Sequence, residues 1–138
     1  MDKIKKLGFL IGRLIVGLLY IFFGLRLFIN FKTMVQLTAQ KLSIFPEFGV
    51  FIAGFLLIVG GFTILTGFMP WLGVFSLVSF YIPVTFIMHD FWNYHDPQMK
   101  AQEIIHFLLN ITLMGSSLMF LAIPEDAWVF SISRKRQK

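Results

Sequence analysis

The chain has 138 residues, 57% of them hydrophobic and only 14% charged, where a soluble domain carries about 25% charged residues. It has no cysteine, which excludes a disulfide framework, thiolate zinc sites, iron–sulfur ligation and covalent c-type haem attachment. The net charge of +5 is concentrated at the ends, in Lys3, Lys5, Lys6 and Arg13 and in Arg134, Lys135, Arg136 and Lys138. That placement reads as an orientation signal beside a membrane rather than as a nucleic-acid surface.

A helix needs about 20 apolar residues to cross a bilayer, and four stretches qualify. The first runs from about Leu7 to Ile29 (7–29), interrupted by Arg13 and Arg26. It is longer than the apolar part of a signal peptide and no small-residue cleavage site follows, so it reads as a retained span. Arg13, one to two turns inside the boundary, is expected to snorkel to the headgroups. A long link follows (30–47), with Phe31, Met34, Val35, Leu42 and Phe45 at helical spacing. Such a segment suits the membrane interface.

The second span runs from about Phe48 to Thr66 (48–66) and carries no charge. Gly67-Phe68-Met69-Pro70 is a tight turn, which makes its neighbours antiparallel. The third starts at Trp71 and closes on His89 (71–89), with Pro83 inside it. A polar and aromatic link (90–102) leads to the fourth, Ile104 to Ile123 (104–123), which carries His106 and Asn110. The expected architecture is all-α, a single membrane domain over 1–138 forming an antiparallel up-down-up-down four-helix bundle. Four crossings put both termini on one side. The terminal side holds eight basic residues against four on the other, Arg26, Lys32, Lys41 and Lys100. Both termini are therefore expected in the cytoplasm and both links outside. The setting expected is a cell membrane, a bacterial inner membrane, with the lipid bilayer as the first partner and no nucleic acid.

Small residues recur every seven positions: Gly17 and Gly24; Ala53, Gly60 and Gly67; Gly54 and Gly61. They let helix backbones approach where water supplies no driving force.

Polar groups inside a bilayer are costly and are functional candidates by default. Apart from Arg13 they gather at one end: Arg26, Asn30, Glu47, His89, Asp90, Gln102, Glu103, His106 and Asn110. Gln102, His106 and Asn110 are spaced i, i+4, i+8 and form one stripe, with Ser117 close to its line. Tyr81, Thr85 and His89 share that spacing on the preceding helix. Two stripes on antiparallel helices can meet at the outer leaflet. Imidazoles donate, accept or carry a proton near neutral pH, and the two carbonyls of a quinone need donors and a proton route. The same residues can equally act as interhelical hydrogen-bond glue. The candidate ligand set is His89, Trp92, Gln102, His106, Asn110, Arg26 and Tyr81, with quinone as the possible cofactor and none held covalently. No catalytic residue and no metal site are assigned; the run of His89, Asp90, His95 and Asp96 reads as a solvated loop.

The stretch His89-Asp90-Phe91-Trp92, then Gln98 and Gln102, then Phe107-Leu108-Leu109-Asn110 and Gly115-Ser116 resembles the DoxX family. The family's pattern there is His, Phe-Trp, a Gln-containing loop, Phe-x-Lys-Asn and Gly-Gly. Arg13, Phe23-Gly24 and Arg26 resemble its opening, and Gly54, Gly60 and Gly61 its second helix. Leu109 stands where members have Lys, Ser116 where they have Gly, and Val50 where many have an acid, with Glu47 a turn earlier. The resemblance implies a four-helix membrane bundle. It also implies a link to redox complexes, since the family is named for a membrane subunit of a thiosulfate:quinone oxidoreductase. A partner redox protein or a homo-oligomer is the corresponding expectation, and the alternative is a non-enzymatic membrane scaffold or assembly partner.

Overall fold

The computed structural model describes residues 2–128 and contains, among them, five α-helices and no strand. They are α1 (Lys3–Ile29), α2 (Phe31–Ala39), α3 (Pro46–Thr66), α4 (Pro70–Met88) and α5 (Pro97–Leu118). A single 3-10 turn (Phe91–Asn93) lies between α4 and α5, and two more, Met119–Ala122 and Glu125–Ala127, follow α5. The basic C-terminal cluster, Arg134 to Lys138, lies outside the described residues.

Local chemistry sets the helix ends. Asp2 caps α1 by accepting from the backbone N–H of Lys5 at 2.9 Å, satisfying one of the orphan donors of a first turn. α3 and α4 open with proline at the first helical positions, where its missing N–H costs nothing. The residues just before, Phe45 and Met69, hold left-handed backbone at φ 50 and 49. Such a conformation costs an L side chain on the order of 1–3 kcal/mol, and it gives each helix an abrupt entry. α3 ends on Gly67 at φ 67, the usual left-handed stop.

Four helical segments are long and apolar enough to cross a membrane: Lys3–Ile29, Pro46–Thr66, Pro70–Asn93 and Pro97–Ala122. Their outward faces carry exposed Leu14, Leu18, Phe22, Phe55, Phe75 and Leu108, among others. Water would penalise such surface and hydrocarbon would not. The chain is a multi-pass membrane protein.

α1 packs on α3, α3 on α4 and α4 on α5. The α1–α3 contact is made by glycine. A Cβ added at Gly17 would lie 2.9 Å from the carbonyl oxygen of Gly61, and one at Gly24 2.9 Å from that of Gly54. Tyr20, Leu57, Ile64, Val74, Leu77, Tyr81 and Trp128 form the core. α5 is peripheral, with only 6% of its apolar stretch buried within the chain.

Contacts at both ends establish the antiparallel order. At one end Lys6 pairs with Asp126 at 3.4 Å, and the Phe9 and Trp128 rings meet edge to face at 4.8 Å, joining the start of α1 to the segment after α5. At the other end Lys41, between α2 and α3, pairs with Asp90, just after α4.

Two sequence expectations need correction. The 90–102 link is shorter, because α5 starts at Pro97, where Asp96 accepts from the Met99 N–H at 2.9 Å; a capped, polar first turn carries no apolar signal. The 30–47 link is helical over α2, which holds Phe31, Met34 and Val35 of its apolar spacing, while Leu42 and Phe45 lie beyond it. Arg13 does not snorkel to exposed headgroups: it is 2% exposed, its guanidinium 5.5 Å from the Trp128 ring and 6.0 Å from that of Phe9.

Candidate functional site

The end of the bundle where α4 finishes and α5 begins gathers ionisable side chains. His89 is the residue on which α4 terminates. Glu103 and His106 sit in the first turns of α5, spaced i, i+3, and so share one face. α4 and α5 are packed neighbours, which brings the three together. His89 Nδ1 lies 2.8 Å from Glu103 Oε2, its N–H donating to the carboxylate. The His89 and His106 rings stand edge to face with centroids 5.3 Å apart. One nitrogen of each imidazole and one Glu103 oxygen all lie within 4.8 Å of one another. The cluster is neither sealed nor open: the side chains of His89 and Glu103 are 22% and 20% exposed.

An aromatic group flanks it. Phe107, next to His106, contacts Phe86 at 5.4 Å, Phe91 at 5.3 Å and Trp92 at 6.3 Å between centroids, all edge to face. Trp92 is 49% exposed. On the other side, Asp90 accepts from Lys41 and, at 2.7 Å, from Asn93. Lys41 also sits over the Tyr94 ring, 4.6 Å from its centroid. The hydrogen bond to Asp90 raises the Lys41 pKa above the usual lysine value, against some desolvation. Asp90 is thus committed to an ion pair, and Asp96 to capping α5.

Deeper in the bundle the polar residues satisfy each other. Tyr81 donates to the Tyr20 hydroxyl at 3.1 Å. Tyr20 lies 3.4 Å from the Ser117 hydroxyl, which itself donates to the Leu113 carbonyl at 2.8 Å. Between this chain and the end cluster lies Thr85, one turn inward of His89. Its hydroxyl is buried with no partner among the described residues.

Of the sequence candidates, His89 and His106 are brought together, and Trp92 packs on Phe91 and Phe107. Asn110 is half-buried one turn further along α5. Tyr81 belongs to the separate inner chain. Gln102 and Arg26 are exposed; on Arg26 it is the carbonyl that is engaged, by Asn30. Glu103, absent from the sequence candidates, completes the group. Its signal was there, in a Glu and a His three apart on one helix. An open groove of about 420 Å³ lies at the α1–α2 corner, lined by residues 28–33, and shares no residue with the cluster.

Among known proteins, the DoxX family model matches residues 8–90, well over half of the chain, from α1 to the Asp90 that follows α4. The resemblance drawn from 91–115 lies beyond that match. No curated protein and no solved structure matches the chain.

Proposed function

The chain belongs to the DoxX family, and from that premise we propose that it is a redox-linked subunit of a bacterial inner membrane that binds a quinone headgroup where α4 ends and α5 begins. The observation that carries the reading is the pair of imidazoles 5.3 Å apart, backed by the Glu103 carboxylate at 2.8 Å. A quinone, when bound, accepts two electrons and two protons. The electrons are assigned to a partner redox protein docked at that end. The protons fall to this chain. His89 and His106 supply the imidazole nitrogens that hand them on, and Glu103 orients the His89 ring through its hydrogen bond. The donor set fits a flat ring with two carbonyl oxygens. It holds two imidazoles, the spare Thr85 hydroxyl and a wall of Phe91, Trp92 and Phe107.

The scaffold alternative accounts for a different depth. Tyr81, Tyr20 and Ser117 are satisfied inside the protein, as helix glue requires.

The test is saturable binding of a short-chain quinone analogue to the protein in nanodiscs. His89→Ala and His106→Ala should each weaken it several-fold, since one hydrogen bond to a neutral group is worth about 0.5–1.5 kcal/mol. Wild-type protein without saturable binding would leave only the scaffold.

A further inference from the structure

We propose that His89, Glu103 and His106 form a binding site for one divalent transition-metal ion of the zinc or iron(II) type. The inference goes beyond the quinone reading and does not rest on it.

Geometry comes first. In a tetrahedral site with metal–ligand bonds of about 2.0–2.1 Å, ligand atoms lie roughly 3.3 Å from one another. The three donor atoms here already fall within 4.8 Å of one another. The scaffold is also suited to it. Glu103 and His106 share a face of α5, and a Glu-x-x-His pair aimed at a neighbouring helix is a known way for bundles to hold metal. His89 approaches from the end of α4, so the ligands come from two packed elements.

The donor chemistry selects the ion. Two imidazoles and one carboxylate suit zinc, iron, nickel and copper, whereas magnesium and calcium require oxygen sets. The local charge is favourable, because neutral imidazoles with an ionised Glu103 leave one negative charge for a dication. The nearby lysine, Lys41, does not compete, being paired with Asp90. Three protein ligands leave a fourth position open, as in metal sites that bind a water or a substrate. The partial exposure of His89 and Glu103 gives that position a route to solvent. An imidazole bound through one nitrogen keeps an N–H on the other, so metal binding and donation to a quinone oxygen are compatible.

The alternative is that His89 and Glu103 form only a hydrogen-bonded pair, with His106 packed against it. Titration of zinc into chelator-stripped, quinone-free protein in detergent separates the two, with cobalt as a spectroscopic substitute. One zinc per chain should bind, and cobalt should give the visible absorption of a four- or five-coordinate ion. Glu103→Gln, which keeps the shape and a hydrogen bond to His89, should lose more affinity than the roughly 10–100-fold cost of removing a hydrogen-bond partner of a metal ligand. His106→Ala should do the same. His95→Ala, on the exposed link, should bind as wild type does. Circular dichroism would show each variant folded, and Glu103→Gln stands alone if His106→Ala does not fold. Absence of stoichiometric zinc binding in wild type, or binding unchanged in Glu103→Gln, would overturn the site. Quinone-analogue binding repeated with excess chelator reports on the other proposal separately.

Discussion

Tyr20 sits at the centre of the buried polar chain, accepting a hydrogen bond from the Tyr81 hydroxyl and facing Ser117. With Ser117 donating to Leu113, the remaining Tyr20 proton points to Ser117, so the whole chain runs one way and its bonds reinforce one another. Tyr20→Phe strands the Tyr81 hydroxyl, at a cost of about 1–3 kcal/mol for an unsatisfied buried group. Adding Tyr81→Phe removes the stranded group as well, and the double variant should recover part of the loss. Thermal unfolding in detergent checks this; a double variant that merely sums the two singles would mean the Tyr–Tyr bond contributes nothing. Tyr81 and Ser117 could be read from the sequence because they fall on polar stripes. Tyr20 could not: a single hydroxyl in an apolar run has no periodicity, and its partners are 61 and 97 residues away. Arg13 failed for a related reason, since its aromatic cover includes Trp128 from the far end of the described chain.

Among the elements, α1 and α3 show how much a glycine pattern says. The seven-residue repeats of Gly17 with Gly24 and Gly54 with Gly61 correspond to one contact surface, and a spacing of seven returns to nearly the same helix face. The pattern does not say which glycines have no room to spare. A Cβ at Gly61 would lie 2.7 Å from the Gly17 carbonyl oxygen and 2.8 Å from the Ile21 nitrogen, both backbone atoms, whereas one at Gly12 meets nothing within 4 Å. Gly61→Ala should therefore force α1 and α3 apart and cost roughly 1–3 kcal/mol. Gly12→Ala should be neutral or stabilising by up to about 1 kcal/mol, through helix propensity. Chemical denaturation of the two variants side by side tests the contrast, and equal stability would mean the α1–α3 contact is looser than described. The four spans were legible because hydropathy is what a bilayer demands of them. The first turns of α5 were not, because they are polar and defined by the Asp96 cap.

For the whole molecule the remaining question is which way the bundle faces. The pairings Lys6–Asp126 and Lys41–Asp90 separate the chain's basic residues into two ends. Lys3, Lys5, Lys6 and Arg13 belong to the end that also receives the segment after α5; Arg26, Lys32, Lys41 and Lys100 belong to the other. Arg134, Lys135, Arg136 and Lys138, outside the described residues, follow the first end in sequence. The excess of Lys and Arg near the span ends sets orientation, and short loops weigh most. The first end should therefore be cytoplasmic, leaving the His89–Glu103–His106 cluster at the outer leaflet. Single cysteines read this directly in a chain that has none of its own. Lys3→Cys should resist an impermeant maleimide applied to intact cells. Ser43→Cys and Lys100→Cys, both exposed, should react, and Ser43 is preferred to Lys41 because it leaves the ion pair with Asp90 intact. Labelling of Lys3→Cys alone would reverse the bundle and move the cluster to the cytoplasmic face. Metal and quinone would then reach it from inside the cell, and an electron-donating partner would have to dock there too.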